Sequence, residues 1–70
     1  MKKFAQRLRE LREEKGISQH KIAPIFGISQ SSYGDYELNI SEPTLTMLVR
    51  MAEYFGVSVD YLLGREEYSG

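Results

Sequence analysis

The side chains best equipped to meet a ligand are gathered in the middle of the chain. Gln19, His20 and Lys21 follow Ser18, and Gln30, Ser31 and Ser32 follow Ser29. Amides and hydroxyls both donate and accept hydrogen bonds without ionising near neutrality, so this is chemistry for recognition rather than proton transfer. The alternatives are thin. With no cysteine and His20 the one histidine, neither a thiolate site nor an all-protein zinc site is expected. Asp35 and Glu37, two residues apart on a helix, do not form a facing carboxylate pair, and neither a glycine-rich phosphate loop nor an activated nucleophile is present. The sequence therefore predicts no enzyme, catalytic residue, cofactor or metal.

These polar groups need short helices to hold them. Phe4, Leu8 and Leu11 recur at helical spacing, and Gly16 stops the pattern, which predicts a first helix over residues 2 to 14. Ser18 caps a short second helix with Ile22, Ala23 and Phe26 on its apolar face. Pro24 falls well beyond that cap, so a bend or a loosened last turn is expected. Gly27 breaks the chain, Ile28 returns to the core, and Ser29 caps a third helix whose Tyr33 and Tyr36 face inward. Gln30, Ser31, Gly34 and Asp35 are left outward. In the connector that follows, Asn39 is the non-glycine residue best suited to positive φ. Pro43 and Thr44 open a fourth helix carrying Leu45, Leu48, Met51, Ala52 and Phe55 to Gly56, and Ser58 caps a last one that Gly64 closes. The expected fold is all-α, a compact domain of five helices over residues 1–64, followed by a short polar tail over residues 65–70.

With 70 residues there is room for one modest core, and folding buries only about 60% of the extended chain's surface. Apolar runs fall far short of the roughly 20 residues that span a bilayer, and the lysine-rich start lacks a signal peptide's apolar stretch, so a cytoplasmic protein without membrane contact is expected. Net charge is −1 but unevenly spread: residues 1 to 16 carry six basic and three acidic side chains, residues 41 to 70 two and five. A polyanion meets an attractive field at one end only.

The segment ISQHKIAPIFGISQSSYGDYELN, followed by PTLTMLVRMAEYFGVSVDYLLG, resembles the phage lambda-repressor/Cro type of helix-turn-helix regulator. The resemblance covers nearly the whole chain, with the motif at residues 18–37. It implies a lambda-repressor-like five-helix DNA-binding domain that acts as a homodimer on double-stranded DNA with an inverted-repeat site, regulating transcription and most economically repressing it. It also implies that the second helix crosses the backbone while the third enters the major groove. On that pattern Gln30, Ser31, Gly34 and Asp35 match base-reading positions, Gln19 matches a phosphate-contacting one, and Ser29 and Ser32 match polar positions near the groove entry; Arg12, Lys21, Ser29, Ser32 and Asn39 are the further candidates for phosphate. Arg12 and Glu37 match residues that pair between the first helix and the end of the third; the arginine fork then either orients the helix alone or also keeps a donor for phosphate.

Gln30 ranks first among the readers, because its amide suits the N7/N6 edge of adenine and the first turn reaches deepest into the groove. Asp35 departs from the family pattern: phosphate repels it, although cytosine N4 can donate to it. Two-fold symmetry would set the third helices about 34 Å apart. Tyr61, Leu62, Leu63 and Tyr68 are the candidate dimer contacts, and adjacency means Leu62 and Leu63 cannot both face the same way. The acidic balance and the composition of the third helix leave open a second reading, an antitoxin or anti-repressor whose main partner is a regulatory protein.

Overall fold

Local start and stop signals decide where the helices lie. The computed structural model describes residues 1–65, and these form α1 (Lys2–Lys15), α2 (Gln19–Ile25), α3 (Gln30–Glu37), α4 (Leu45–Phe55) and α5 (Val59–Leu62). Ser18, Ser29, Thr44 and Ser58 stand in extended conformation ahead of α2 to α5, and each side-chain oxygen accepts an amide N–H from the first turn. One of the orphan donors of each helix is thereby satisfied. The exits are equally uniform. The N–H groups of Ile17, Ile28, Ile40, Val57 and Arg65 reach back to the carbonyls of Arg12, Ala23, Asp35, Ala52 and Asp60, the six-to-one bond of a Schellman close. The residue at that turn has positive φ: glycine after α1, α2, α4 and α5, and Asn39 at 61° after α3.

Pro24 sits inside α2 one residue before its end. Beyond it the chain closes through three-residue bonds, Phe26 to Ala23 and Gly27 to Pro24, both 3.0 Å, as α1 and α4 also do at Gly16 and Gly56. The last turn tightens rather than frays. No basic residue of α2 occupies its last turn, but Arg50 of α4 donates to the carbonyls of Phe26 at 3.2 Å and Ile25 at 3.3 Å, placing a cation on the negative end of the helix.

A single core gathers Phe4 and Leu8 from α1, Ile22 and Ala23 from α2, Phe26 beyond it, Tyr33 from α3, Leu48, Met51 and Ala52 from α4, and Leu62 from α5. Tyr33 is fully buried, its ring stacked on Phe26 with planes 7° apart. Tyr36 is only half-buried and meets Phe4 edge-on. The last helix is tied to the first by Arg7, whose guanidinium donates to the Tyr61 carbonyl at 2.7 Å and lies 4.2 Å from the centre of the Tyr61 ring. Among the described residues, no helix is long and apolar enough to cross a membrane.

Candidate nucleic-acid interface

Helices α2 and α3 are joined by the tight turn at Gly27 and Ile28, and their buried residues Ile22, Ala23 and Tyr33 belong to the same core. What holds α3 in its pose is an ionic cluster. Arg12 of α1 meets the last residue of α3 with two bonds, Nε to Glu37 Oε2 at 2.7 Å and Nη2 to Oε1 at 3.1 Å, while Nη1 donates to the Ile17 carbonyl at 3.0 Å. Gln19, the first residue of α2, donates through Nε2 to Glu37 Oε1 at 3.0 Å. One carboxylate thus joins the three helices α1, α2 and α3.

The cluster is largely withdrawn from water, with side-chain exposures of 13% for Arg12 and 3% for Glu37. Burial pushes the Glu37 carboxyl up, but the hydrogen bonds it accepts, from Arg12 above all, outweigh this and hold it below the usual glutamate range. The same bond raises the Arg12 guanidinium against the opposing cost of its desolvation. Burial, followed by the adjoining Glu37 carboxylate, drives the Tyr33 phenol far above its ordinary value. Its hydroxyl is enclosed with no hydrogen-bond partner among the described residues. Both Arg12 and Glu37 are therefore charged at neutral pH, and Tyr33 is not.

Outside this anchor α3 presents a shallow groove lined by Gln19, Gln30, Ser31, Gly34, Asp35 and Leu38. Gln30 and Ser31 are exposed, whereas Gly34 and Asp35 are half-buried farther along the helix. Ser29 and Ser32 stand together at the helix entrance, with the Ser29 hydroxyl donating to Ser32 Oγ at 3.0 Å. Ser29 Oγ also accepts the Ser32 amide. Lys21 and Asn39 are exposed, and Asn39 Oδ1 accepts a hydrogen bond from the N-terminal ammonium at 3.0 Å. Arg12, by contrast, has three of its N–H groups turned inward on Glu37 and Ile17.

Of the residues considered for self-association, Leu62 is fully buried in the core and offers no surface to a partner. Tyr61 and Leu63 are half-buried at the end of the domain, and Tyr68 lies outside the described residues. Sequence reasoning did not reveal the Gln19–Glu37 bond or the place of Leu38 in the groove. It also passed over the apolar surface around the connector, where Leu38, Ile40 and Leu45 are 69%, 68% and 73% exposed. The one available signal was the presence of Leu38 and Ile40 in a segment with no helical period to bury them.

A tight-turned pair of helices, packed in a five-helix bundle with a polar groove along the second of the pair, defines a helix-turn-helix domain of lambda-repressor type. A family model described as helix-turn-helix matches residues 8–62, and the chain belongs to that family of transcriptional regulators. Three Bacillus subtilis (strain 168) proteins illustrate the kinship. The SPbeta prophage-derived uncharacterized HTH-type transcriptional regulator YonR is 42% identical over 60 residues, covering 86% of this chain and 56% of the relative. The uncharacterized HTH-type transcriptional regulator YobD is 44% identical over 61 residues, 87% of this chain and 54% of the relative. The HTH-type transcriptional regulator AnsR is 41% identical over 61 residues, with 87% and 53% covered. The chain thus spans little more than half the length of these relatives.

Proposed function

We propose that the chain is a sequence-specific, double-stranded DNA-binding repressor of the cytoplasm that acts as a homodimer on an inverted-repeat operator. The observation that carries this reading is the groove along α3, whose exposed amide and hydroxyl groups at Gln30 and Ser31 are presented by a helix clamped at its far end through Glu37. A reader must be held rigidly while its first turn stays free, and this arrangement does both.

In this reading Gln30 takes the edge of one base, with Ser31, Gly34 and Asp35 completing the contacted surface. Lys21, Ser29, Ser32 and Asn39 flank the groove where phosphates run, Gln19 leads the helix that crosses the backbone, and Arg12 serves chiefly to set the pose of α3. Tyr61 and Leu63 provide the contact between copies. Repression follows by occlusion of a promoter. Enrichment from a random duplex DNA pool tests the assignment: the wild-type chain should select an inverted repeat, and Gln30→Ala should relax one position of each half-site by about 1–3 kcal/mol. An unchanged preference profile for Gln30→Ala would remove that residue from the reading set.

The exposed apolar residues Leu38, Ile40 and Leu45 favour a second reading, in which an antitoxin or anti-repressor uses the fold mainly to hold a protein. That reading requires partner binding that survives Gln30→Ala together with no duplex preference.

A further inference from the structure

The orientation of one amide bears on which bases the groove accepts. Glu37 is ionised beside Arg12 and can only accept hydrogen bonds, so the Gln19 carboxamide must turn its nitrogen to Glu37, as the 3.0 Å contact from Nε2 to Oε1 shows. Its oxygen is then forced the other way, onto the surface of α3 over Gly34. A methyl group built on Gly34 would lie 3.2 Å from Gln19 Oε1 and 4.0 Å from Cδ, closer to the oxygen than side chains ordinarily approach. Gly34 is helical, not in the left-handed region, so conformational freedom does not require glycine here. What the missing side chain provides is the seat for the amide. Gln19, Gly34 and Asp35 line the same groove, so two of its neighbouring residues, Gln19 and Asp35, carry acceptor oxygens.

We propose that Gln19 reads a base through its carboxamide oxygen, held in place by Glu37 and admitted by Gly34, and that with Asp35 it selects an exocyclic amine on the contacted strand. Such a pair accepts adenine, through N6, or cytosine, through N4, and rejects the keto groups that guanine and thymine present in the major groove. Gln19 is thereby a specificity residue rather than only a phosphate ligand, and Gly34 is its positioning residue. The inference rests on the DNA-binding reading above.

The test uses the 70-residue chain, a random duplex DNA pool, and then the best enriched duplex with every single-base change. The wild type should show one position per half-site where adenine or cytosine is favoured over guanine or thymine by about tenfold. Gly34→Ala should lower that ratio below about threefold while leaving the preference governed by Gln30, and circular dichroism should show its helical content retained. Gln19→Ala should lose the same discrimination, and adding Gly34→Ala to it should cost nothing further, since the new methyl has no amide to displace. Asp35→Asn, which adds a donor, should admit guanine or thymine at that position.

Retention of the full ratio in Gly34→Ala or Gln19→Ala overturns the proposal, as does a wild-type preference for keto bases. Uniform weakening across all duplexes with the pattern intact assigns Gly34 a purely structural role and overturns it equally. A wild-type chain that enriches no sequence overturns the DNA-binding reading itself, and this inference with it. A defined wild-type site whose discrimination survives the substitutions overturns this inference alone.

Discussion

Glu37 of α3 ties three helices together, because Arg12 of α1 and Gln19 of α2 both donate to its carboxylate. Arg12→Ala would leave that carboxylate in a nearly dry site without its main partner, and unpairing a buried ion pair costs about 3–5 kcal/mol. Against the marginal stability of a domain this size, urea denaturation should find the variant largely unfolded at 37 °C. The cluster also makes stability depend on acid. Because the Glu37 carboxyl is held below its ordinary range in the folded state, the unfolded chain binds the proton more readily. The contribution is fully present above the unfolded value of about 4.3 and is lost as pH falls through the depressed folded value. Denaturation midpoints measured from pH 7 to pH 3 should therefore drop for the wild type. In Glu37→Gln the curve starts lower and this component of the slope disappears.

At the level of elements, α3 is short, contains a glycine, and relies on its ends. Ser29→Ala removes the hydroxyl that accepts the Ser32 amide, and losing such a cap costs about 1 kcal/mol. Calorimetry should show a melting point lower by several degrees, with faster amide exchange confined to the first turn of α3. At the other end Asn39 holds φ at 61°. Asn39→Gly should be tolerated there, whereas Asn39→Val, with its branched carbon in a left-handed conformation, should destabilise by about 1–2 kcal/mol. The two ends carry different consequences. On the proposed reading Gln30 and Ser31 of the first turn contact bases, so fraying there should weaken base selection before it unfolds the domain.

The whole molecule has a net charge of −1, which limits how strongly it can hold DNA through phosphates alone. Affinity for a duplex should consequently fall with salt on a shallow slope, and Lys21→Ala should reduce that slope by about one per subunit without changing which bases are preferred. Titration in 50 to 300 mM salt would measure it; a slope unchanged by the substitution removes Lys21 from the phosphate contacts. The proposed homodimer would double those contacts. Leu63→Glu should leave the helical content intact by circular dichroism, shift sedimentation to a single copy, and weaken binding to a palindrome far more than to a half-site. Leu62→Ala should behave differently, unfolding the domain by about 2–5 kcal/mol, because Leu62 belongs to the core.

Helix number, order and limits were determined by the sequence itself, and the physical reason is range. A serine or threonine caps the turn it adjoins, and Gly16, Gly27 and Gly56 close the helix just before them, so those signals act within a few residues and can be read without a fold. The apolar spacing of Phe4 and Leu8, or of Leu48, Met51 and Ala52, likewise identifies the inward faces of α1 and α4. Pairings between distant residues were left to the tertiary structure. Arg7 meets the Tyr61 carbonyl across 54 residues, and Arg50 reaches back 24 residues to the Phe26 carbonyl at the end of α2. The choice between Leu62 and Leu63 for the core depended on the angle at which α5 docks on α1 and α4. The direction of the Gln19 amide was decided in the same way, by Glu37 lying 18 residues away and by the space above Gly34. The groups that can read a ligand are visible in the sequence, but which of their atoms face it depends on how three helices meet.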